Sequence, residues 1–159
     1  MHAIVDDEVV DDIDALRSSG DTYAQRLVRL GTDIDDLLSD IDADQRVLVT
    51  NHEVFSYFGE RFDFEVIGAI IPSLNTSAEP SAADIEQLAG LIVERGVPAV
   101  FGETTQSTQL ASALVAEVGD DVQVIELFSE SLGESASGAT TYVEMMMTNA
   151  ELIAAGLGG

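Results

Sequence analysis

Apolar positions recur at helical spacing through the first quarter of the chain and then change period. Glu8 to Leu16 places Val9, Val10, Ile13 and Leu16 on one helical face, and Ser18-Ser19-Gly20 reads as a break. Asp21 or Thr22 can cap a second, long helix reaching about Ile41, with Leu27, Leu30, Ile34, Leu37, Leu38 and Ile41 as its apolar stripe and Gly31 as a mild weak point. Beyond it, short apolar runs alternate with amphipathic ones. Val47 to Thr50, Glu65 to Ile71, Pro98 to Phe101 and Val122 to Phe128 predict strands. His52 to Arg61, Ser81 to Arg95, Gln106 to Val118 and Ala139 to Ala155 predict helices, with Gly96 and Gly119 ending two of them. Pro72 to Pro80 and the Gly/Ser-rich Ser129 to Gly138 predict loops. Four buried strands separated by helices imply an α/β fold: a four-stranded, mainly parallel sheet with helices on both faces, preceded by a long helix.

Charge narrows the partners. Thirty Asp plus Glu stand against six basic residues, for a net charge of −24, and all six are Arg. Such a chain repels nucleic-acid phosphates and anionic membranes. The acids are spread between apolar positions rather than gathered in a block, which suggests a solvating coat suited to high salt. Absent residues exclude chemistry. Without Lys there is no P-loop and no Schiff base; without Cys there is no thiol nucleophile, disulfide or cysteine zinc site. No apolar run approaches the roughly 18 residues of a membrane span, and no signal-peptide pattern is visible in the chain as written.

Only two histidines occur, His2 and His52. His52 follows the strand Val47 to Thr50, at the sheet edge where open α/β proteins bind ligands. There it can bind a metal, move a proton, or simply cap or pack against a helix. In a parallel sheet, Glu103 after PAVFG and Glu130 after VQVIELF end at the same edge. One imidazole with carboxylates suits zinc or manganese; in a chain this acidic, a carboxylate after a strand also arises by chance. Met145-Met146-Met147 points in three directions around a helix, which argues for core packing rather than a copper site. Gly133 to Gly138 reads as a surface turn.

These motifs, taken in order, resemble a family. VLVTNHEVFSYFGERFDFEVIGA, IIPSLNTSAEPSAADI, PAVFGETTQS, ELFSESLG and GATTYVEMMMTNAELI are similar, in sequence and spacing, to the C-terminal part of the metal-binding proteins of zinc and manganese ABC importers. In those proteins one long helix joins two lobes. The resemblance implies residues 1–20 as a remnant of the region before that helix, 21–42 as the helix, and 43–159 as the C-terminal metal-binding lobe. It places the family's two C-lobe ligands on His52 and Glu130, with Glu for the usual Asp. By the same resemblance Glu103 falls beside the site rather than on the metal, in a position to orient His52. Met1-His2-Ala3-Ile4-Val5-Asp6-Asp7 keeps the His and first Asp of an N-lobe ligand motif, but neither its Trp nor its two Pro, so His2 is a third ligand candidate beside its reading as a solvated terminus.

The resemblance implies a non-enzymatic carrier. It would hold zinc or manganese as transported ligand and deliver it to a membrane ABC permease from an extracytoplasmic, membrane-associated position; expressed as written, the chain would be cytoplasmic. It also implies that the first lobe is missing, leaving an apolar face on the long helix open to self-association. Two alternatives remain: a truncated remnant or interaction domain without significant metal binding, and a metal-assisted hydrolase using His52 with Glu103 as base. The second lacks a further histidine in compact spacing such as H-x-x-x-H.

Overall fold

A computed structural model describes residues 7–50, 54–67, 82–104, 109–119 and 122–158. In chain order the elements are α1 (Asp7–Leu37), β1 (Val47–Thr50), α2 (Ser56–Phe62), β2 (Glu65–Val66), α3 (Ala82–Arg95), β3 (Ala99–Glu103), α4 (Gln109–Val118), β4 (Gln123–Leu127) and α5 (Tyr142–Leu157). The strands form one sheet in the order β2-β1-β3-β4, and every pairing is parallel. Their carboxyl ends therefore share one edge, as the alternating pattern predicts.

Period-two alternation sorts the strand side chains to two faces. Leu48, Ala99, Phe101 and Leu127 face a core built with Leu30, Ile34, Phe58, Phe62, Ile153 and Leu157 from α1, α2 and α5. Val47, Val49 and Val100 face a second core with Leu88, Ala89, Ile92 and Leu114 from α3 and α4. Met146 and Met147 pack against the first core, and Met145 is buried.

The expected helix break at Ser18-Ser19-Gly20 does not occur. α1 runs unbroken for 31 residues. A single helical Gly costs only about 1 kcal/mol relative to Ala, and Thr22 Oγ1 donates to the Ser18 carbonyl at 2.8 Å, keeping its hydroxyl inside the helix. The helix ends at Leu37 rather than near Ile41. The chain turns there, and Arg46 binds carbonyls at the turn, where the Ile41 N–H also donates to the Leu38 carbonyl. Its guanidinium donates to the Leu38, Ile41 and Phe62 carbonyls at 2.9, 3.1 and 3.0 Å, and lies 5.7 Å from the Phe64 ring centroid. One arginine thus joins the end of the long helix to the end of α2. Beside it, Arg61 forms a two-pronged pair with Asp35, at 3.0 and 2.8 Å.

Candidate metal site at the carboxyl edge of the sheet

Among the described residues three polar side chains are buried: Thr50, Glu103 and Asn149. All three lie at the carboxyl edge. Thr50 is the last residue of β1 and Glu103 the last of β3. Asn149 reaches the exit of β4 from α5. Its Oδ1 accepts from the Phe128 N–H at 2.9 Å, and its Nδ2 donates to the Phe128 carbonyl at 2.7 Å. Buried polar groups persist when their partners are built in; here the partners fix where β4 releases the chain.

That release point leads directly to Ser129 and Glu130. Ser129 Oγ donates to Glu103 Oε2 at 2.5 Å. The register places Glu103 opposite Leu127, and the Thr104 N–H donates to the Leu127 carbonyl at 3.0 Å, so β3 and β4 leave the sheet together. Glu130 itself is exposed. The segment after it folds back through hydrogen bonds of its own: the Gly133 N–H donates to the Ala139 carbonyl, and Ser137 Oγ to the Glu134 carbonyl. Thr141 then caps α5 in a reciprocal box with Glu144. Hydrogen bonds from Thr140 and Thr141 hold the Glu144 carboxyl below its ordinary range.

Glu130 also borders a cavity of about 520 Å³. Leu30, Ile34, Phe58, Phe128 and Met145 make most of this space apolar, with Arg61 on one side. It is not a metal cage, and Glu130 stands among its lining residues.

Of the residues singled out in the sequence, Glu103 and Glu130 come to the same edge, one buried and one exposed. His2 and His52 lie outside the described residues. Phe55 occupies the N-cap position of α2, so that position does not fall to His52. The described residues alone contain no group of three or more His, Asp or Glu side chains able to hold a metal. Sequence reasoning missed Asn149 and Ser129. Asn149 left a signal: Met145, Asn149 and Ile153 share one buried helical face, and a polar residue in that phase asks for a partner.

A family model described as "ZnuA: Zinc-uptake complex component A periplasmic" matches residues 10–156. The chain is 36% identical over 139 residues to the "Zinc-binding protein TroA" of Treponema pallidum, covering 85% of this chain and 44% of that protein. It is 31% identical over 160 residues to the "Manganese-binding lipoprotein MntA" of Halalkalibacterium halodurans, covering 99% and 52%. The solved structure of the periplasmic zinc-binding protein TroA from Treponema pallidum superposes with a TM-score of 0.77 at 35% identity, over 86% of this chain and 50% of that one. The chain spans about half the length of the relatives it matches. By the reach of the family match and the agreement of fold, it belongs to the family of the periplasmic zinc-uptake component ZnuA.

Proposed function

We propose that this chain is the carboxyl-terminal, metal-binding lobe of a zinc or manganese receptor that hands its ion to an ABC permease. His52 supplies a neutral imidazole nitrogen, and Glu130 a carboxylate oxygen. The observation that carries the reading is the ordered edge beside Glu130: a buried Glu103 ends β3 and accepts from Ser129, the residue before Glu130. That bond holds the loop from which Glu130 extends. Ligands fixed by hydrogen-bonded neighbours bind more tightly than mobile ones.

Two ligands do not fill the coordination of zinc or manganese. The remaining positions fall to water, to His2, or to groups of a facing lobe. Such a site captures and releases its ion by small shifts of one wall against the other, since the long α1 resists hinge bending. Its product is a delivered ion rather than a transformed substrate, so the protein is a carrier and not an enzyme. The relatives named as periplasmic proteins and lipoproteins support an extracytoplasmic site of action. No helix among the described residues is long and apolar enough to cross a membrane. The acidic coat suits a protein working in concentrated salt.

X-ray absorption of the zinc-loaded chain tests the site. The expected spectrum has nitrogen and oxygen ligands at about 2.0–2.2 Å, with the imidazole scattering diminished in His52→Ala and lost when His2 is replaced as well. An oxygen-only environment in the unmutated chain would mean that zinc merely decorates surface carboxylates.

A further inference from the structure

The loop from Phe128 to Gly138 carries Glu130, and α5 grips it at both ends through two consecutive residues. Asn149, 1% exposed, accepts from the Phe128 N–H at 2.9 Å and donates to the Phe128 carbonyl at 2.7 Å. Thr148 Oγ1 donates to the Gly138 carbonyl at 2.7 Å. Between these anchors the loop is tied to itself. The Gly133 N–H donates to the Ala139 carbonyl, and the Ser137 N–H to the Glu134 carbonyl, both at 2.9 Å.

The residue types suit these tasks. A carboxamide carries donors and an acceptor on one planar head. It can therefore meet the N–H and the carbonyl of a single residue, as a neighbouring strand would. Pairing with β3 ends at Leu127, so Asn149 extends the order of β4 by one residue. At the other end, Gly138 has φ +72, in the left-handed region that favours glycine. A Cβ added there would lie 3.3 Å from Thr148 Oγ1. Gly133 brings the middle of the loop back onto its start: an added Cβ would lie 2.8 Å from Ser137 Cβ and 3.0 Å from Cε1 of the Phe128 ring. The loop thus folds against the residue that Asn149 holds. Ser129 donates to Glu103, so the two residues before Glu130 are fixed from two sides, one by α5 and one by β3. Glu130 then projects from that anchored start, exposed.

We propose that Asn149 and Thr148 are positioning residues for the metal: they shape the loop so that the Glu130 carboxylate stands in place before the ion arrives. The inference rests on the reading of Glu130 as a metal ligand. A carboxylate on a loose loop must be ordered as the ion binds, and that ordering opposes binding. A loop held at both ends is ordered already on folding. The helix then acts on the ion through backbone groups, without touching it.

Zinc titration of the metal-free chain, paired with amide hydrogen exchange across Glu130 to Leu132, tests this. Glu130→Gln reports whether that carboxylate binds the ion. Asn149→Leu should weaken zinc binding about tenfold. Thr148→Val, at a half-buried position, should weaken it in the same direction by less, and decides the question alone should Asn149→Leu fail to fold. Both variants should speed exchange at Glu130 and Ser131 before any metal is added. Thr148→Ser keeps the hydroxyl and should bind like the parent. Arg46→Lys lies at the opposite edge of the sheet, where it lowers stability away from the loop, and should change neither readout. If Glu130→Gln weakens zinc binding while Asn149→Leu and Thr148→Val bind like the parent, the positioning role is overturned and the metal site stands. An Arg46→Lys variant that loses as much affinity as Asn149→Leu overturns it too, because affinity then merely follows stability. Zinc binding that is absent, or indifferent to Glu130→Gln, overturns the metal reading itself and the positioning role with it.

Discussion

Asn149 holds Phe128 by both of its backbone polar groups, with its carbonyl oxygen accepting from the N–H and its amide donating to the carbonyl. The pair ties the closing helix to the exit of β4, one residue before Ser129 and two before Glu130. Asn149→Leu keeps the volume but leaves both groups of Phe128 without partners, a loss of about 2–4 kcal/mol. Asn149→Asp keeps one acceptor and sets a carboxylate against the Phe128 carbonyl, so it should also destabilise. Urea denaturation measures both, and amide hydrogen exchange at Phe128 should accelerate in each variant.

The junction of α1 with the lobe depends on Arg46. A Lys there cannot reach three carbonyls in a planar fork or stack on Phe64. Arg46→Lys should cost about 1–3 kcal/mol, and Arg46→Met more, because it removes all three of the arginine's hydrogen bonds. The denaturation midpoint gives the answer. Equal stability of Arg46→Met and the parent would show that these carbonyls are already solvated.

Gly156 lies buried on α5 where the helix crosses the sheet. An added Cβ would sit 2.5 Å from Ile125 Cδ1 and 3.3 Å from both Ala99 Cβ and Phe101 Cζ. Ile125 can turn aside, but the other two belong to the centre of the sheet. Gly156→Val should destabilise by about 1–3 kcal/mol through overpacking, read as a lowered thermal midpoint.

The Asp35–Arg61 pair makes a prediction for acid. Its hydrogen bond to Arg61 holds the Asp35 carboxyl below its ordinary value of 3.8. A depressed folded value means that the pair's stabilisation is present in full above the unfolded value and disappears as pH falls through the folded one. Asp35→Asn should therefore be less stable than the parent near neutrality and indistinguishable from it in strong acid. Because both side chains are about half exposed, high salt should shrink the difference.

Most of the architecture was legible in the chain because its strands are apolar runs closed by Gly and Pro. Val47 to Thr50 matches its predicted limits, and β3 and β4 lie within about two residues of theirs. Gly96 ends α3 with φ +63, as a helix-terminating glycine should. The break at Ser18-Ser19-Gly20 was misread because local propensity is weak beside the cooperativity of a 31-residue helix. The shared edge was legible too: parallel topology brings Glu103 and the segment that carries Glu130 to one side of the sheet. Its supports were not. Asn149 and Arg46 act on backbone groups far away in sequence, and no periodicity reports such partners.

The central claim is that His52 and Glu130 hold a divalent metal. Calorimetric titration of zinc and manganese into metal-free protein at high salt, beside His52→Ala, tests it most directly. The account predicts saturable binding of one ion per lobe, abolished in the variant and weakening as pH falls through the imidazole range near about 6.5. Weak binding that His52→Ala leaves unchanged would contradict it, showing ions condensed on the acidic surface and no site at the sheet edge.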